Sequence, residues 1–362
     1  MLASYAYSAV LRWRNLKENR LTRPVPEFSI VIVNYNGGDF IQQALDSLAA
    51  QTRQDFEVFL VDNASTDGSI DGLDTSSLPS FRLMAEPVNH GFAAANNMAA
   101  QQATGKWLVC LNPDATARPD WLQKIAEGHA RHPDARMFAS TQFDKMDPSQ
   151  LDGVGDAYLI LGIPWRGGFG RPATELPREG ECFSPCGAGA VFDRELFLAH
   201  GGFDESFFCF CEDVDLGFRL RLAGEICVFL PDAIIDHVGG GLSGRVSDFA
   251  TYHGARNRVW TYAKNMPAPL FWLTLPGHVA LSAYILLRGV MTGRVGQTWR
   301  GMRDGVLGLP ALQLREKNRP PRKVSLWALA RAMAWNPFRM SQRRAHVREF
   351  TSTKSDLGLP RA

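Results

Sequence analysis

The chain has 362 residues, 45% of them hydrophobic and 21% charged, with a formal net charge of +2. These are ordinary globular values, enough to bury a sizeable core in one large domain or in one domain with an appended piece. The charge is too small to suggest a nucleic-acid partner, and six cysteines are too sparse for a disulfide-built secreted scaffold.

The chain opens on a basic leader, residues 1–27, in which Arg12, Arg14, Lys17, Arg20 and Arg23 stand against Glu18. Its apolar start is short and interrupted by Tyr5, Tyr7 and Arg12, so no signal peptide is expected. Residues 28–34 (FSIVIVN) read as a strand buried on both faces, and 39–50 carry a helical apolar stripe. Strands follow at 57–61 and 81–85, a helix at 93–103, a fourth strand at 106–111, a helix at 119–129 and a strand at 137–141. Strands separated by helices imply right-handed crossovers and a mainly parallel sheet, with ligands at the carboxyl ends of the strands. The polar clusters Asn34-Tyr35-Asn36, Asp62-Asn63-Ala64-Ser65 and Asn112-Pro113-Asp114 each follow a strand, so all three should face one crevice.

Residues 151–181 are rich in Gly and Pro and read as a long loop region able to shape an acceptor site. Gly187-Ala188-Gly189-Ala190 lacks phosphate-loop spacing and is better read as close backbone packing. Cys182, Cys186, Cys209 and Cys211 offer a zinc reading, which the C-x-C pair fits poorly; plain thiols are the alternative. Glu212-Asp213-Val214-Asp215 precedes a patterned helix at 216–222. Crowded acids raise one another's proton affinity, which suits a general base, while acids at a helix start are also favoured by its dipole. Asp213 is the expected base, with Glu212 or Asp215 structural. His237 follows the strand-like 233–235 and precedes Gly239-Gly240-Gly241; it is either a metal or phosphate contact on a mobile loop or a half-buried turn histidine. From about 256 onward the chain reads as a helical, basic C-terminal region. Residues 269–287 are apolar enough to span a bilayer but carry Pro276, Gly277 and His278 at the centre, which favours a re-entrant or interfacial helix pair.

As an ordered set, the segments 28–36 (FSIVIVNYN), 57–69 (EVFLVDNASTDGS), 89–97 (NHGFAAANN), 111–115 (LNPDA) and 210–219 (FCEDVDLGFR) resemble glycosyltransferase family 2, in particular its rhamnosyltransferase-like branch. The resemblance spans about residues 28–240. It implies an α/β fold of the GT-A nucleotide-binding type, a mainly parallel mixed sheet across residues 28–255, followed by a membrane-associated helical region at 256–362. It also implies donor contacts from Asn34, Tyr35, Asp62, Asn63, Gly91, Phe92, Asn96 and Asn112. Asp114 and His237 would hold a divalent cation, Mg²⁺ or Mn²⁺, and Asp213 would act as catalytic base. Asn112 stands where the family's D-x-D motif has its first acid, so the cation is held by fewer charges. The implied activity is inverting transfer of a sugar from a nucleotide-diphosphate donor to a hydroxyl of a growing, lipid-linked cell-surface glycan. The expected location is cytoplasmic and peripheral on the inner face of the membrane, where the basic ends meet an anionic surface. The alternatives are a polyprenyl-phosphate glycosyltransferase, a sugar-phosphate nucleotidyltransferase lacking its basic loop, and a non-catalytic nucleotide-binding scaffold.

Overall fold

In FSIVIVN the only polar side chains are Ser29 and Asn34, and in the computed structural model this run forms β1 (Phe28–Asn34), buried along its whole length. The structure describes residues 25–239, 247–315 and 322–350. The basic residues of the leader, and Gly240 and Gly241, lie outside the described residues. Phe28, Ile30 and Ile32 enter one apolar cluster with Leu45, Val58 and Val109, whereas Val31 and Val33 enter another with Phe59, Val61 and Ala99. Side chains alternate across a strand, so an uninterrupted apolar run needs a helix layer on each face. Each such side chain taken fully out of water contributes about 1.5–3 kcal/mol.

The first half follows the expected alternation with small shifts of boundary: α1 (Phe40–Ala49), β2 (Phe56–Asn63), β3 (Phe81–Glu86), α2 (Gly91–Gln102), β4 (Trp107–Leu111), β5 (Ala115–Ala117), α3 (Trp121–Arg131) and β6 (Met137–Asp144). β1 lies parallel between β2 and β4, and β3 continues parallel from β2. β6 does not join β4 directly. The antiparallel β12 (Ala190–Asp193) separates them, and β13 (Cys227–His237) then runs parallel to β6. The sheet is therefore mixed, with its parallel side holding the first crevice.

Residues 151–181 are not a long loop. They form β7 (Gln150–Gly153), β8 (Asp156–Leu159), β9 (Ile163–Arg166), β10 (Arg171–Pro172) and β11 (Gly180–Cys182). Single apolar residues alternate with glycine turns at Gly155, Gly162 and Gly168, all at positive φ, so strands only two to four residues long can reverse direction and still pair. Tyr158 and Phe183 from this layer pack with Phe218 and Tyr262, which joins the sheet domain to the C-terminal helices.

After α4 (Arg194–Ala199), α5 (Glu212–Leu222) begins earlier than expected, so all three acids fall inside its first turn. β13 is longer than the run at 233–235 and places His237 at its end, not in a turn. α6 (Asp248–Asn265) crosses the expected boundary at 255. The apolar segment is one helix, α7 (Ala268–Met291), and no break occurs at Pro276. The central residues pack inward instead: His278 stacks on Tyr262 at 4.0 Å, its Nδ1 bonds the Leu161 carbonyl at 2.8 Å, and a Cβ on Gly277 would meet Leu161 at 2.7 Å. Proline removes one helical hydrogen bond, and tertiary packing here outweighs that loss. α8 (Val295–Arg315), α9 (Leu326–Ala332), α10 (Pro337–Ser341) and the short β14 (Arg348–Glu349) complete the described chain.

Candidate active site

β1, β2 and β4 end side by side, and the turns beyond them border a pocket of about 980 Å³ lined by Tyr35, Asn63, Gly91, Phe92, Asn112 and Asp114. Asn34, Asp62 and Asn96 do not line it. Asn34 donates to Asp62 Oδ1 at 2.8 Å and to Ser69 Oγ at 2.9 Å, while Asp62 Oδ2 accepts the Ser65 N–H at 3.1 Å. These bonds hold the β1 and β2 turns together. Asn96 is fully buried in α2 and donates to the Phe92 carbonyl at 2.9 Å. All three lie behind the pocket wall and brace it, the Oδ1 atoms of Asn34 and Asn96 keeping no hydrogen-bond partner. Asn63 donates to the Gly91 carbonyl at 3.2 Å, which fixes the start of α2 against the crevice.

The floor is an acid–imidazole pair. His237 Nδ1 donates to Asp152 Oδ2 at 2.6 Å, and Nε2 lies 3.1 Å from Asp114 Oδ1. Asn112 Nδ2 is 3.2 Å from the same Nε2. With Nδ1 protonated toward Asp152, the neutral ring turns a lone pair at the Asp114 carboxylate, and two electron-rich atoms share one spot. That spot suits a cation. Burial works against charge on His237, but Asp114 and Asp152 outweigh it and raise its proton affinity. An imidazole held by an outer carboxylate is the usual support of a metal-binding histidine. Sequence reading missed Asp152. Only the pairing of β6 with β7 brings it beneath His237, 85 positions away, and Leu-Asp-Gly carries no signal of its own.

A second pocket, of about 510 Å³, adjoins the first and shares Phe92, Asn112 and Arg166 with it. Asp213 lines this one. Its Oδ2 accepts the Gly187 N–H at 2.8 Å and its Oδ1 the Val214 N–H at 2.8 Å. A Cβ on Gly187 would stand 3.3 Å from that carboxylate, so the glycine is what lets the backbone come close. Desolvation raises the proton affinity of Asp213 despite these donors and nearby Arg166. Glu212 is raised well above the usual range, first by burial and then by Asp213. Asp215 is the opposite: fully buried, it accepts from Arg219, Lys264 and Asn265 at 2.9, 2.8 and 2.7 Å, and they outweigh burial to hold it well below the usual range. Two acids in one helical turn thus have separate tasks.

The loop before α5 stores backbone strain. Phe208, Phe210 and Cys211 all have positive φ, at 64°, 72° and 64°. Non-glycine residues persist there only when their surroundings over-determine them. Asn257 of α6 supplies that hold, donating to the carbonyls of Phe207, Cys209 and Phe210 at 3.0, 2.8 and 2.7 Å. The result turns Phe208 and Phe210 into the first pocket.

The four cysteines of the zinc reading do not assemble. Cys182 Sγ lies 3.4 Å from Cys227 Sγ, and all six cysteines are free thiols. Among the described residues, Asp156, Cys186 and Asp213 are the one group of three that brings possible ligand atoms within 4.8 Å of one another. Burial pushes the Cys186 thiol up to about 12, which disfavours the thiolate a metal would need.

A polar crevice at the carboxyl ends of parallel strands, with a desolvated acid beside an acid–imidazole pair, defines a group-transfer enzyme of the α/β nucleotide-binding class. Residues 29–201 match the model of glycosyl transferase family 2. Those residues form a domain of that family, and the chain is a glycosyltransferase. It is 29% identical over 291 residues to the N-acetylglucosaminyl-diphospho-decaprenol L-rhamnosyltransferase of Mycobacterium tuberculosis, spanning 72% of this chain and 92% of that protein. It is 33% identical over 219 residues to the O-antigen biosynthesis protein RfbC of Myxococcus xanthus, 56% of this chain but 16% of that one. Two solved structures share the fold. One is the Pyrobaculum calidifontis mannosyltransferase with GDP-Man and Mn²⁺ (TM-score 0.51, 20% identity, 88% of this chain and 98% of that one). The other is S. aureus TarS 1–349 with UDP-GlcNAc (TM-score 0.53, 17% identity, 80% and 83%).

Proposed function

We propose that the enzyme moves a sugar, with inversion, from a nucleotide-diphosphate donor to a hydroxyl of a lipid-linked cell-surface glycan. The observation that carries this reading is the adjacency of the two pockets. Asp213 borders one and the Asp114–His237 pair the other, with Asn112 common to both. The first pocket suits the donor: Tyr35 and Asn63 flank the place for base and ribose, and Gly91, Phe92 and Asn112 the place for diphosphate and sugar. Asp114 and His237 would hold a divalent cation there, oriented by Asp152. When bound, that cation neutralises the negative charge of the departing diphosphate. Asp213 takes the proton of the acceptor hydroxyl, whose oxygen bonds to the anomeric carbon as the bond to the diphosphate breaks on the opposite face. Burial raises the proton affinity of Asp213, which strengthens it as a base. The acceptor class rests on the similarity to the mycobacterial rhamnosyltransferase.

The same reading docks the enzyme on a membrane. α7 is long and apolar enough to cross a bilayer, and little of it is covered by the rest of the chain. Trp272, Leu273 and Leu287 on it are 68%, 77% and 65% exposed. Arg288, Arg294, Arg300 and Arg303 follow within α7 and α8 or between them, a pattern suited to anionic headgroups.

The test is Asp213→Asn. The variant should bind nucleoside diphosphate with Mn²⁺ as the wild type does, by calorimetry, and lose about 10²–10⁴-fold in turnover. The wild-type rate should rise with pH along an acid limb that the variant lacks. An active Asp213→Asn enzyme would remove the base assignment.

A further inference from the structure

Buried arginines are costly unless an anion or a set of carbonyls receives them. Arg221 obeys that rule, with Glu181 Oε1 at 2.6 Å and the carbonyls of Cys182 and Phe183 around it. Arg258 does not. It projects from α6, is 9% exposed, and its buried Nε and Nη2 have no hydrogen-bond partner. Of the acids around it, Asp213 is held by backbone N–H groups and Asp215 by Lys264 and Arg219, while Glu212 and Asp156, which line the same pocket, each keep one buried oxygen without a hydrogen-bond partner and are pushed by burial toward the neutral form. The guanidinium lines the Asp213 pocket and not the donor pocket.

Two further features mark the same pocket. Arg343 borders it from the turn after α10, close enough to Arg166 and Arg288 that their charges add to burial in lowering its proton affinity. Arg343 lines the donor pocket as well, and Arg166, paired with Asp152 at 2.6 Å, lines both; like charges this close become favourable with a polyanion between them. Ile163, Pro164 and Ile285 give the remaining wall an apolar side, while Asp156 and Glu212 stand beside Asp213. Ile285 of α7 and the Thr298 turn of α8 close it, and from there α7 runs on to Leu287, Val290 and Met291, which are 65%, 61% and 88% exposed. Base, buried cation and apolar ramp thus belong to one cavity, and Arg343 stands where it meets the donor pocket.

We infer that Arg258, with Arg343 at the mouth, seats the diphosphate that joins the acceptor sugar to its lipid. The sugar then reaches Asp213 while the hydrocarbon chain leaves along α7 and α8. This rests on the reading above that the acceptor is lipid-linked, and it names the group by which such an acceptor is recognised. Burial lowers the Arg258 proton affinity only to about 10, so the cation persists at neutral pH. Arg258 does not line the donor pocket, which assigns it to acceptor binding.

The experiment is calorimetric titration of the full chain and of Arg258→Met and Arg258→Lys with geranyl diphosphate, geraniol and inorganic pyrophosphate. Each titration is repeated with the donor site filled by Mn²⁺ and whichever of UDP, GDP or dTDP binds. Geranyl diphosphate should bind alongside the nucleotide, about 10- to 100-fold more weakly to Arg258→Met, with partial recovery in Arg258→Lys. Geraniol should bind far more weakly than its diphosphate. Arg258→Met should also melt no lower than wild type, since it discards a buried charge without breaking an ion pair, whereas a structural arginine would lower the melting point. Undiminished geranyl diphosphate binding in Arg258→Met overturns the inference, as does displacement of it by the nucleotide. Pyrophosphate binding as tight as geranyl diphosphate would assign the site to a free anion and overturn the lipid assignment. Retained nucleotide binding with no geranyl diphosphate binding sinks this inference alone, while loss of both in the wild type sinks the transferase reading with it.

Discussion

Asp213 and Asp215 stand one residue apart in the first turn of α5, and replacing each by asparagine separates chemistry from stability. Asp215 is completely buried and accepts three hydrogen bonds, two from cations. Removing one partner of a buried ion pair costs about 3–5 kcal/mol, because the other charge is left without compensation. Here Lys264 keeps Asp204 at 2.7 Å, and Arg219 keeps the carbonyls of His200 and Gly202. The cost of Asp215→Asn should therefore fall at the low end, about 3 kcal/mol. At about 2 °C per kcal/mol for a large chain, Tm should drop roughly 6 °C. The folded carboxyl sits below its ordinary value of 3.8, so its stabilisation is present above that pH and lost as pH falls through the lower, folded value. The variant should accordingly lose part of the wild-type acid sensitivity. Asp213→Asn removes a charge whose proton affinity burial has already raised, so it should leave Tm unchanged or slightly higher. Differential scanning calorimetry between pH 3 and 7 decides the matter. Equal Tm losses for the two variants, or no loss for Asp215→Asn, would refute the division of labour.

Two more outcomes follow from the geometry. Asp152→Asn removes the carboxylate that orients His237 and pairs Arg166, so Mn²⁺-dependent binding of nucleoside diphosphate should weaken about 10–100-fold while metal-free binding changes little; equal Mn²⁺ affinity in variant and wild type would show that His237 is not a ligand. In flotation assays, vesicles with anionic lipid should retain the wild-type chain and release a Trp272→Ser, Leu273→Ser double variant; full retention of that variant would move the docking face away from this part of α7.

Much of the donor half was legible in the sequence, because its signals are local. FSIVIVN can only bury both faces, and the polar triplets after β1, β2 and β4 follow from chain order alone, since parallel strands present their carboxyl ends on one edge. The crowding of Glu212, Asp213 and Asp215 within one helical turn was legible in the same way. The resemblance implied a mixed sheet, but its strand order was not legible, because β12 enters about 80 residues beyond β4 and its four residues carry no pairing information. The short strands of 150–182 look like loop in sequence, since glycine turns interrupt every apolar run before a period can be counted.

What the sequence determined by itself is therefore the class of enzyme, through strand-end polar clusters in a fixed order. Tertiary structure decided which side chains face ligand and which hold the wall. Asn34 and Asp62 are bonded to each other behind the pocket wall, and Asp152 reached His237 only through β6–β7 pairing. It also decided that α7 stays continuous through Pro276 and that Arg258 is buried without an anion. Each of these depends on what a side chain meets across tens of residues, and a burial cost or a missing partner leaves no trace in the local order of amino acids.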